Sequence, residues 1–141
     1  MTYGYISFVL DDNSKNLLLR QFPALYPDII AHHITYAFHV PNKDIPDTPT
    51  DIRVIGQHDN GEIQVLSVEI DGKNTQIKRE DEKNRYLHIT MSLDRAKGHS
   101  PNDANDILQK IVEQHGESAL NNLETPVSIT AKPAWTERPS E

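Results

Sequence analysis

The strongest constraint on the fold is a pair of strand-like segments joined by an Asn-Gly dipeptide. Residues 51–59 and 62–70 are rich in β-branched and aliphatic side chains, and Asn60 and Gly61 separate them. Asn-Gly between two such runs favours a tight hairpin turn in which both residues adopt positive φ angles. The sequence therefore predicts an antiparallel hairpin near the middle of the chain.

The elements around this hairpin predict an α+β fold. Further strands are predicted at residues 3–10, 32–40, 86–93 and 127–131. One helix is predicted to begin at a cap among residues 12–14 and to end near Phe22, and a second to run from Asn102 or Asp103 to His115. The order β-α-β, hairpin, β-α-β predicts a mostly antiparallel sheet with two outer helices.

Length and composition limit the classes of protein that remain. A chain of 141 residues suits one domain, which we expect at residues 1–132, followed by an extended tail at residues 133–141. The absence of cysteine excludes disulfides, thiolate metal sites and cysteine nucleophiles. No apolar run is long enough to span a membrane, and the N-terminus does not resemble a secretion signal, so we expect a cytoplasmic protein.

The charge balance of the chain limits the kind of partner that it can bind. Lys and Arg number 14 against 21 Asp and Glu, a formal net charge of −7. An acidic surface argues against a protein that grips long duplex nucleic acid through its phosphates. A small phosphate-bearing ligand in one local site remains compatible with this charge.

A repeated tetrapeptide carries the chemistry. The pattern His, apolar, Thr, apolar occurs as HITY and as HITM, each within a predicted strand. Because side chains alternate across a strand, His33 shares a face with Thr35, and His88 shares a face with Thr90. The apolar members point the other way, and we expect the helices to cover them.

Two histidines and two threonines suit the cleavage of a phosphodiester. Imidazoles titrate near neutrality, so one can deprotonate the attacking oxygen while the other protonates the departing oxygen. Threonine hydroxyls beside them can donate hydrogen bonds to the phosphoryl oxygens as charge shifts. This division of roles requires no metal, although the sequence leaves open which histidine is the base.

Paired motifs of this kind resemble the 2H phosphoesterase superfamily, which includes bacterial RNA 2′,3′-cyclic phosphodiesterases and phage anti-CBASS enzymes that linearise cyclic nucleotide signals. The resemblance implies a bilobal sheet with pseudo-twofold symmetry. It also implies His33 and His88 as the acid and base, Thr35 and Thr90 as phosphate donors, and no cofactor or metal. The compact size and tight loops resemble the phage type, an enzyme that cleaves cyclic oligonucleotide signals. The acidic charge departs from members that act on RNA, which are often more basic, and favours a compact substrate such as a cyclic nucleotide or a short RNA end.

Other functions stay open at this stage. The same motifs suit a 2′,3′-cyclic phosphodiesterase acting on RNA ends, or a module that binds a nucleotide without cleaving it. A third alternative is a structural or partner-binding protein anchored by Trp135, and a homo-oligomer is compatible with every alternative.

Five residues outside the motifs are candidate substrate contacts. Tyr3 and Tyr5 alternate with apolar residues on the first strand and can stack on a base, or simply pack on the sheet. Arg95 and Lys97 follow the second motif and precede a helix start, which suits either a phosphate seat or a solvated turn. Trp135 can fold over a bound base, dock on a partner or anchor the tail.

The remaining histidines are weaker candidates for a functional site. His32 adjoins His33, but strand alternation predicts that it points to the opposite face. His58, His99 and His115 have no evident partner in the sequence. No carboxylate stands at a ligand-like spacing from His32, His33 or His39. We therefore expect none of them to bind a metal.

Overall fold

The computed structural model describes residues 3–41, 45–49, 51–75, 85–99 and 103–137. The strands are β1 (Tyr3–Leu10), β2 (Asp28–Ile29), β3 (His33–Pro41), β4 (Ile52–Asp59), β5 (Ile63–Ile70), β6 (His88–Leu93), β7 (Val127–Ile129) and β8 (Ala131–Glu137). The α-helices are α1 (Asp12–Gln21) and α2 (Ala104–His115). Short 3-10 helices span Arg95–Lys97 and Glu117–Leu120. Asn102, one of the two predicted caps of α2, lies outside the described residues.

The strands form one curled antiparallel sheet, a half-barrel, which confirms the predicted α+β class. Its order is β7-β4-β5-β6-β3-β1-β8, and the short β2 pairs with β6 beside this path. The strands that carry the repeated motif, β3 and β6, are direct neighbours in the middle of the sheet. Rigid flanking strands therefore support both motifs from either side.

The two helices cover opposite faces of the sheet. Leu18 of α1 and Phe22 at its C-terminal end pack in a buried cluster with Leu66, whereas Leu108 of α2 packs in a second cluster with Val65. Because Val65 and Leu66 are consecutive in β5, the clusters lie on different faces. The expectation that both helices cover the face opposite the motifs holds for α1 and is wrong for α2. No described helix has the length and apolar character needed to cross a membrane.

The predicted hairpin is present, but its turn differs from the expected one. Asp59 pairs with Gln64, and of the turn residues between β4 and β5 only Gly61 has a positive φ, 92°. Asn60 instead uses its side chain: Oδ1 accepts from the backbone N–H groups of Glu62 at 3.0 Å and of the residue after it at 2.9 Å. This side-chain capping holds a three-residue turn without a second left-handed residue.

The segment expected to form a C-terminal tail is extended and continues the sheet as far as Glu137. Residues 133–137 of this segment belong to β8, which pairs with β1 along its whole length, from Leu10 opposite Ala131 to Gly4 opposite Glu137. Pro133 is accommodated because β8 is an edge strand, where a missing N–H interrupts no second ladder. The four residues after Glu137 lie outside the described residues.

The start of α1 gives a first prediction for stability. The cap is Asp11, one residue before the predicted candidates, and its Oδ1 accepts from the N–H of Ser14 at 2.7 Å. Asp11→Ala is expected to lower the free energy of unfolding by about 1 kcal/mol, measured by urea denaturation. Asp12→Ala, in the first turn but without the cap bond, serves as the control. Equal losses in the two variants would show that the cap bond adds nothing.

Candidate active site

The pairing of β3 with β6 brings the two motifs together. Ile34 lies opposite Ile89 in the antiparallel register, and both side chains are fully buried on the α1 face. The flanking residues of an antiparallel pair also lie opposite one another, on the other face of the sheet. His33 of the first motif is therefore beside Thr90 of the second.

By the same register Thr35 lies beside His88, so the four polar residues form one square on a single face. We call this set, His33, Thr35, His88 and Thr90, the quartet. The histidines occupy one diagonal of the square and the threonines the other. Diagonal neighbours of this kind are about 7–8 Å apart between Cα atoms, and His33 and His88 are close enough that the charge of one lowers the pKa of the other.

A polar row continues from the quartet across the neighbouring strands. Ser7 of β1 is opposite Thr35, and Ser67 of β5 is opposite His88. Both serines are buried, and Ser67 Oγ donates to the carbonyl of Leu120 at 2.6 Å. Neither serine was predicted as part of a site from the sequence, although a serine within an apolar strand pattern is a recognisable signal of a buried polar position.

The ring of His88 is held through one nitrogen. Its Nδ1 lies 2.8 Å from the carbonyl oxygen of Tyr86, which can only accept, so Nδ1 carries the hydrogen. The N–H of Tyr86 in turn donates to Oδ1 of Asn105 in α2, at 3.2 Å. Helix α2 thus anchors the backbone of Tyr86, the residue whose carbonyl orients His88, and Nε2 is the nitrogen left for chemistry.

Burial and charge both act on the titration of His88. Loss of solvent around the ring lowers the pKa of His88, and the nearby positive charge of Arg85 lowers it further, against an opposing contribution from the Tyr86 carbonyl. Arg85 is itself exposed. Arg85 was not predicted as a site residue from the sequence, although a cation three positions before the second motif is a recognisable signal.

His33 has an unexpected neighbour. Nδ1 of His32 lies 3.0 Å from Nδ1 of His33, with the rings nearly perpendicular at a centroid distance of 5.2 Å. The expectation that His32 points to the opposite face is wrong, because β3 begins at His33 and the alternation of a strand does not extend to His32. Burial is the main cause that lowers the pKa of His33, followed by the charges of His32 and His88.

The backbone before His32 explains this contact. Ala31 is fully buried and has a positive φ of 42°, which is uncommon for a residue other than glycine. Its N–H donates to the carbonyl of Thr90 at 2.9 Å, and the carbonyl of His32 accepts from Leu10 N–H at 3.0 Å. Hydrogen bonds to two strands thus hold the chain in the bend that brings the successive histidine rings together.

The predicted aromatic contacts are distributed over both faces. Tyr5 alternates with Ser7 along β1, so it lies on the quartet face, and it is partly exposed. Trp135 pairs with Ile6, which places it on the opposite face, where its ring approaches Gly4. The side chain of Tyr3 lies outside the described residues. Of the two whose side chains are described, only Tyr5 lies on the face of the quartet.

The predicted cations lie at the hairpin end of β6. The backbone N–H of Arg95 donates to Asp28 Oδ2 at 2.9 Å, and Lys97 Nζ is 3.8 Å from Glu62 Oε1. A strand rises about 3.3 Å per residue, so the end of β6 at Leu93 lies roughly 10 Å along the strand from Thr90. Arg95 follows beyond it, in the 3-10 helix Arg95–Lys97. The structure does not bring Arg95 or Lys97 together with the quartet.

A different lysine shares a row with the quartet. Val9 pairs with His33 on one side and with Lys132 on the other, so Lys132 lies in the same row as His33, two strands away. Its side chain is exposed. Together with Arg85 it places positive charge near the quartet despite the negative net charge of the chain.

Two histidines that lacked an evident partner in the sequence have partners in the structure. His58 is buried, its Nε2 is 3.1 Å from Ser67 Oγ, and burial lowers its pKa. His99 lies between Glu62 at Nε2 and Asp103 at Nδ1, the latter at 3.2 Å. The hydrogen bond with Glu62 is the main cause that raises the pKa of His99.

The described residues contain no group of three or more histidine or carboxylate side chains placed to hold a metal ion. Comparison with known proteins adds no assignment: no family model matches the chain, and no curated protein or solved structure matches it. The case for a function therefore depends on the geometry of the quartet.

Proposed function

We propose that the chain is a metal-independent phosphodiesterase that cleaves cyclic nucleotide phosphodiester bonds by two-histidine acid–base catalysis. The observation that carries the proposal is the antiparallel pairing at Ile34 and Ile89, which sets the quartet on one face of the sheet. The antiparallel pairing of the two motifs supports the pseudo-twofold relation that the resemblance to 2H phosphoesterases implies.

The diagonal arrangement suits in-line displacement at phosphorus. A phosphoryl group centred over the square has His33 on one side and His88 on the other, which matches the opposite positions of the attacking and departing oxygens. One imidazole takes the proton of the attacking water, and the other gives its proton to the leaving ribose oxygen.

The threonines and a cation complete the site. Thr35 and Thr90, on the other diagonal, donate hydrogen bonds to the non-bridging phosphoryl oxygens, where charge develops in the transition state. The Arg85 guanidinium, which is near enough to His88 to lower its pKa, adds positive charge for the phosphate. Tyr5 lies on the same face and offers a ring on which a base can stack.

The net charge favours a compact substrate. With a formal charge of −7, the chain as a whole repels a long polyanion, whereas Arg85 and Lys132 place positive charge near the quartet. A cyclic di- or trinucleotide presents few phosphates and needs only this local positive charge. We therefore propose cyclic oligonucleotide signals as the substrate class, as in the phage anti-CBASS enzymes that the sequence resembles.

A substrate panel tests the proposal. The purified protein is incubated with EDTA and with 2′,3′-cyclic mononucleotides and cyclic di- and trinucleotides, and the products are separated by chromatography. Linear products from the cyclic di- or trinucleotides support the proposal, and the His33→Ala/His88→Ala double variant is the control. Cleavage of the 2′,3′-cyclic mononucleotides alone would favour processing of RNA ends. No cleavage of any compound, or loss of cleavage with EDTA, would contradict metal-independent catalysis.

The pH dependence of kcat/KM gives a second prediction. The free enzyme is active with one histidine neutral and the other protonated, so kcat/KM is highest between their two pKa values. Both pKa values lie below the ordinary 6.5, because burial disfavours the charged rings. We expect a bell-shaped profile with its maximum below pH 6.5, measured under conditions where circular dichroism shows an unchanged fold. A maximum above pH 7 would contradict this assignment of the acid and base.

A further inference from the structure

The two histidines of the quartet are held at the same nitrogen by different kinds of partner. Nδ1 of His88 donates to the Tyr86 carbonyl, whereas Nδ1 of His33 faces Nδ1 of His32 at 3.0 Å. A carbonyl never changes its role, but an imidazole nitrogen is a donor when protonated and an acceptor when bare. The proton between His32 and His33 can therefore belong to either ring.

We propose that His32 is a positioning residue for His33, which it orients through the Nδ1–Nδ1 hydrogen bond and connects to solvent as a proton relay. This inference rests on the proposed function. It goes beyond the paired motifs, which assign no role to the residue before the first histidine.

The contact leaves Nε2 of His33 for the phosphodiester. A hydrogen bond between two Nδ1 atoms needs one protonated and one bare nitrogen, so the two rings cannot both carry a proton there. When the Nδ1 of His33 is the donor, its Nε2 is bare and can accept a proton from the attacking water. In this arrangement the hydrogen bond holds the tautomer of His33 that a general base requires.

Exposure gives the relay a direction. His32 is exposed, whereas His33 is partly buried between β1 and β6. After His33 has gained a proton at Nε2, it can pass its Nδ1 proton to Nδ1 of His32, which releases a proton from its own Nε2 to water. The proton count balances, and His33 is then neutral with its hydrogen on Nε2.

The charged and titratable groups around His33 are few among the described residues. His32 adjoins it in the chain, His88 faces it from β6, and Lys132 of β8 lies in its row two strands away. The charges of His32 and His88 both lower the pKa of His33. Removing the charge of His32 should consequently move the titration of His33 to higher pH.

Two substitutions of His32 distinguish the effect of its hydrogen bond to His33 from the effect of its charge. In His32→Asn, the side-chain amide stands where Nδ1 was and can accept from His33 Nδ1–H, but it does not titrate. In His32→Phe, the ring remains and the hydrogen bond is lost. His115→Asn, at the exposed end of α2, is the matched control.

The experiment reads imidazole ¹⁵N shifts by NMR across pH in the full chain, together with kcat/KM on the substrate that the panel identifies. In His32→Asn we expect His33 to keep its tautomer and both its titration and the pH profile to move to higher pH. In His32→Phe we expect the fixed tautomer to be lost and kcat/KM to fall about 10- to 100-fold.

Two results would overturn the inference, and a third would bear only on the proposed function. Unchanged His33 shifts and titration in both variants would show that His32 does not position His33. Altered shifts with an unchanged pH profile and rate would show that the contact has no catalytic role. A wild-type protein that cleaves nothing while the shifts respond as expected would contradict the proposed function, and the contact itself would stand.

Discussion

Replacing His88 by alanine is expected to lower kcat on the cleaved cyclic nucleotide by about 10²- to 10⁴-fold. Nδ1 of His88 is committed to the Tyr86 carbonyl, so only Nε2 can exchange a proton with the substrate. Alanine removes this nitrogen. The oxygen that His88 serves, whether it attacks or departs, then has no group to accept or donate its proton. His33→Ala should cause a loss of similar size, because the other end of the displacement needs the second imidazole.

Substrate affinity should change much less than turnover in both variants, since the acid and base act in the transition state. His115→Ala, an exposed histidine at the end of α2, is the control and should keep wild-type kinetics. His88→Asn keeps a polar side chain near the Tyr86 carbonyl and guards against a folding defect in the alanine variant. Turnover near the wild-type value in His88→Asn and His33→Ala would rule out two-histidine catalysis and favour a nucleotide-binding module.

Gly56→Ala is expected to lower the free energy of unfolding by about 3 kcal/mol. A Cβ at Gly56 would lie 2.1 Å from the carbonyl oxygen of Leu120 and 2.5 Å from Ser67 Oγ. The first of these is backbone in the 3-10 helix after α2, so the strand or the helix must move. The same movement would break the Ser67 to Leu120 hydrogen bond beside His88.

Denaturant unfolding measures this loss, and Gly72→Ala provides the comparison. Gly72 has a φ of 85°, but a Cβ at this position would meet no heavy atom within 4 Å, so only backbone strain of about 1 kcal/mol applies. Similar losses in the two variants would show that close packing at Gly56 is unimportant. A further drop in kcat for Gly56→Ala, at a temperature where it is folded, would indicate that Ser67 supports the position of His88.

The local elements were predictable because their signals are local. The alternation around His33 and His88 predicted correctly that each shares a face with the threonine two residues later. The Asn60-Gly61 dipeptide predicted the hairpin, although the side chain of Asn60 holds the turn in a form that the dipeptide does not specify. That β3 and β6 are adjacent depends on long-range pairing, which no local pattern contains.

The surroundings of the quartet escaped prediction for the same reason. His32 meets His33 because Ala31 takes a positive φ while bonded to Thr90, a contact across the sheet. Trp135 follows Pro133, which is typical of a loop or tail, yet β1 offers an edge on which this segment pairs. Proximity of a cation also depends on the fold, so Arg95 was as plausible as Arg85 until the strands were placed.

The central pairing of β3 with β6 has a consequence for how the protein folds. Ile34 and Ile89 are far apart along the chain, and the complete hairpin β4–β5 lies between them in sequence. Closing such a loop is entropically costly and tends to make folding slow. On the proposed function, neither half of the quartet acts until that closure, so activity should return on refolding no earlier than the pairing of β3 with β6. The rate of that recovery would report directly on when the centre of the sheet forms.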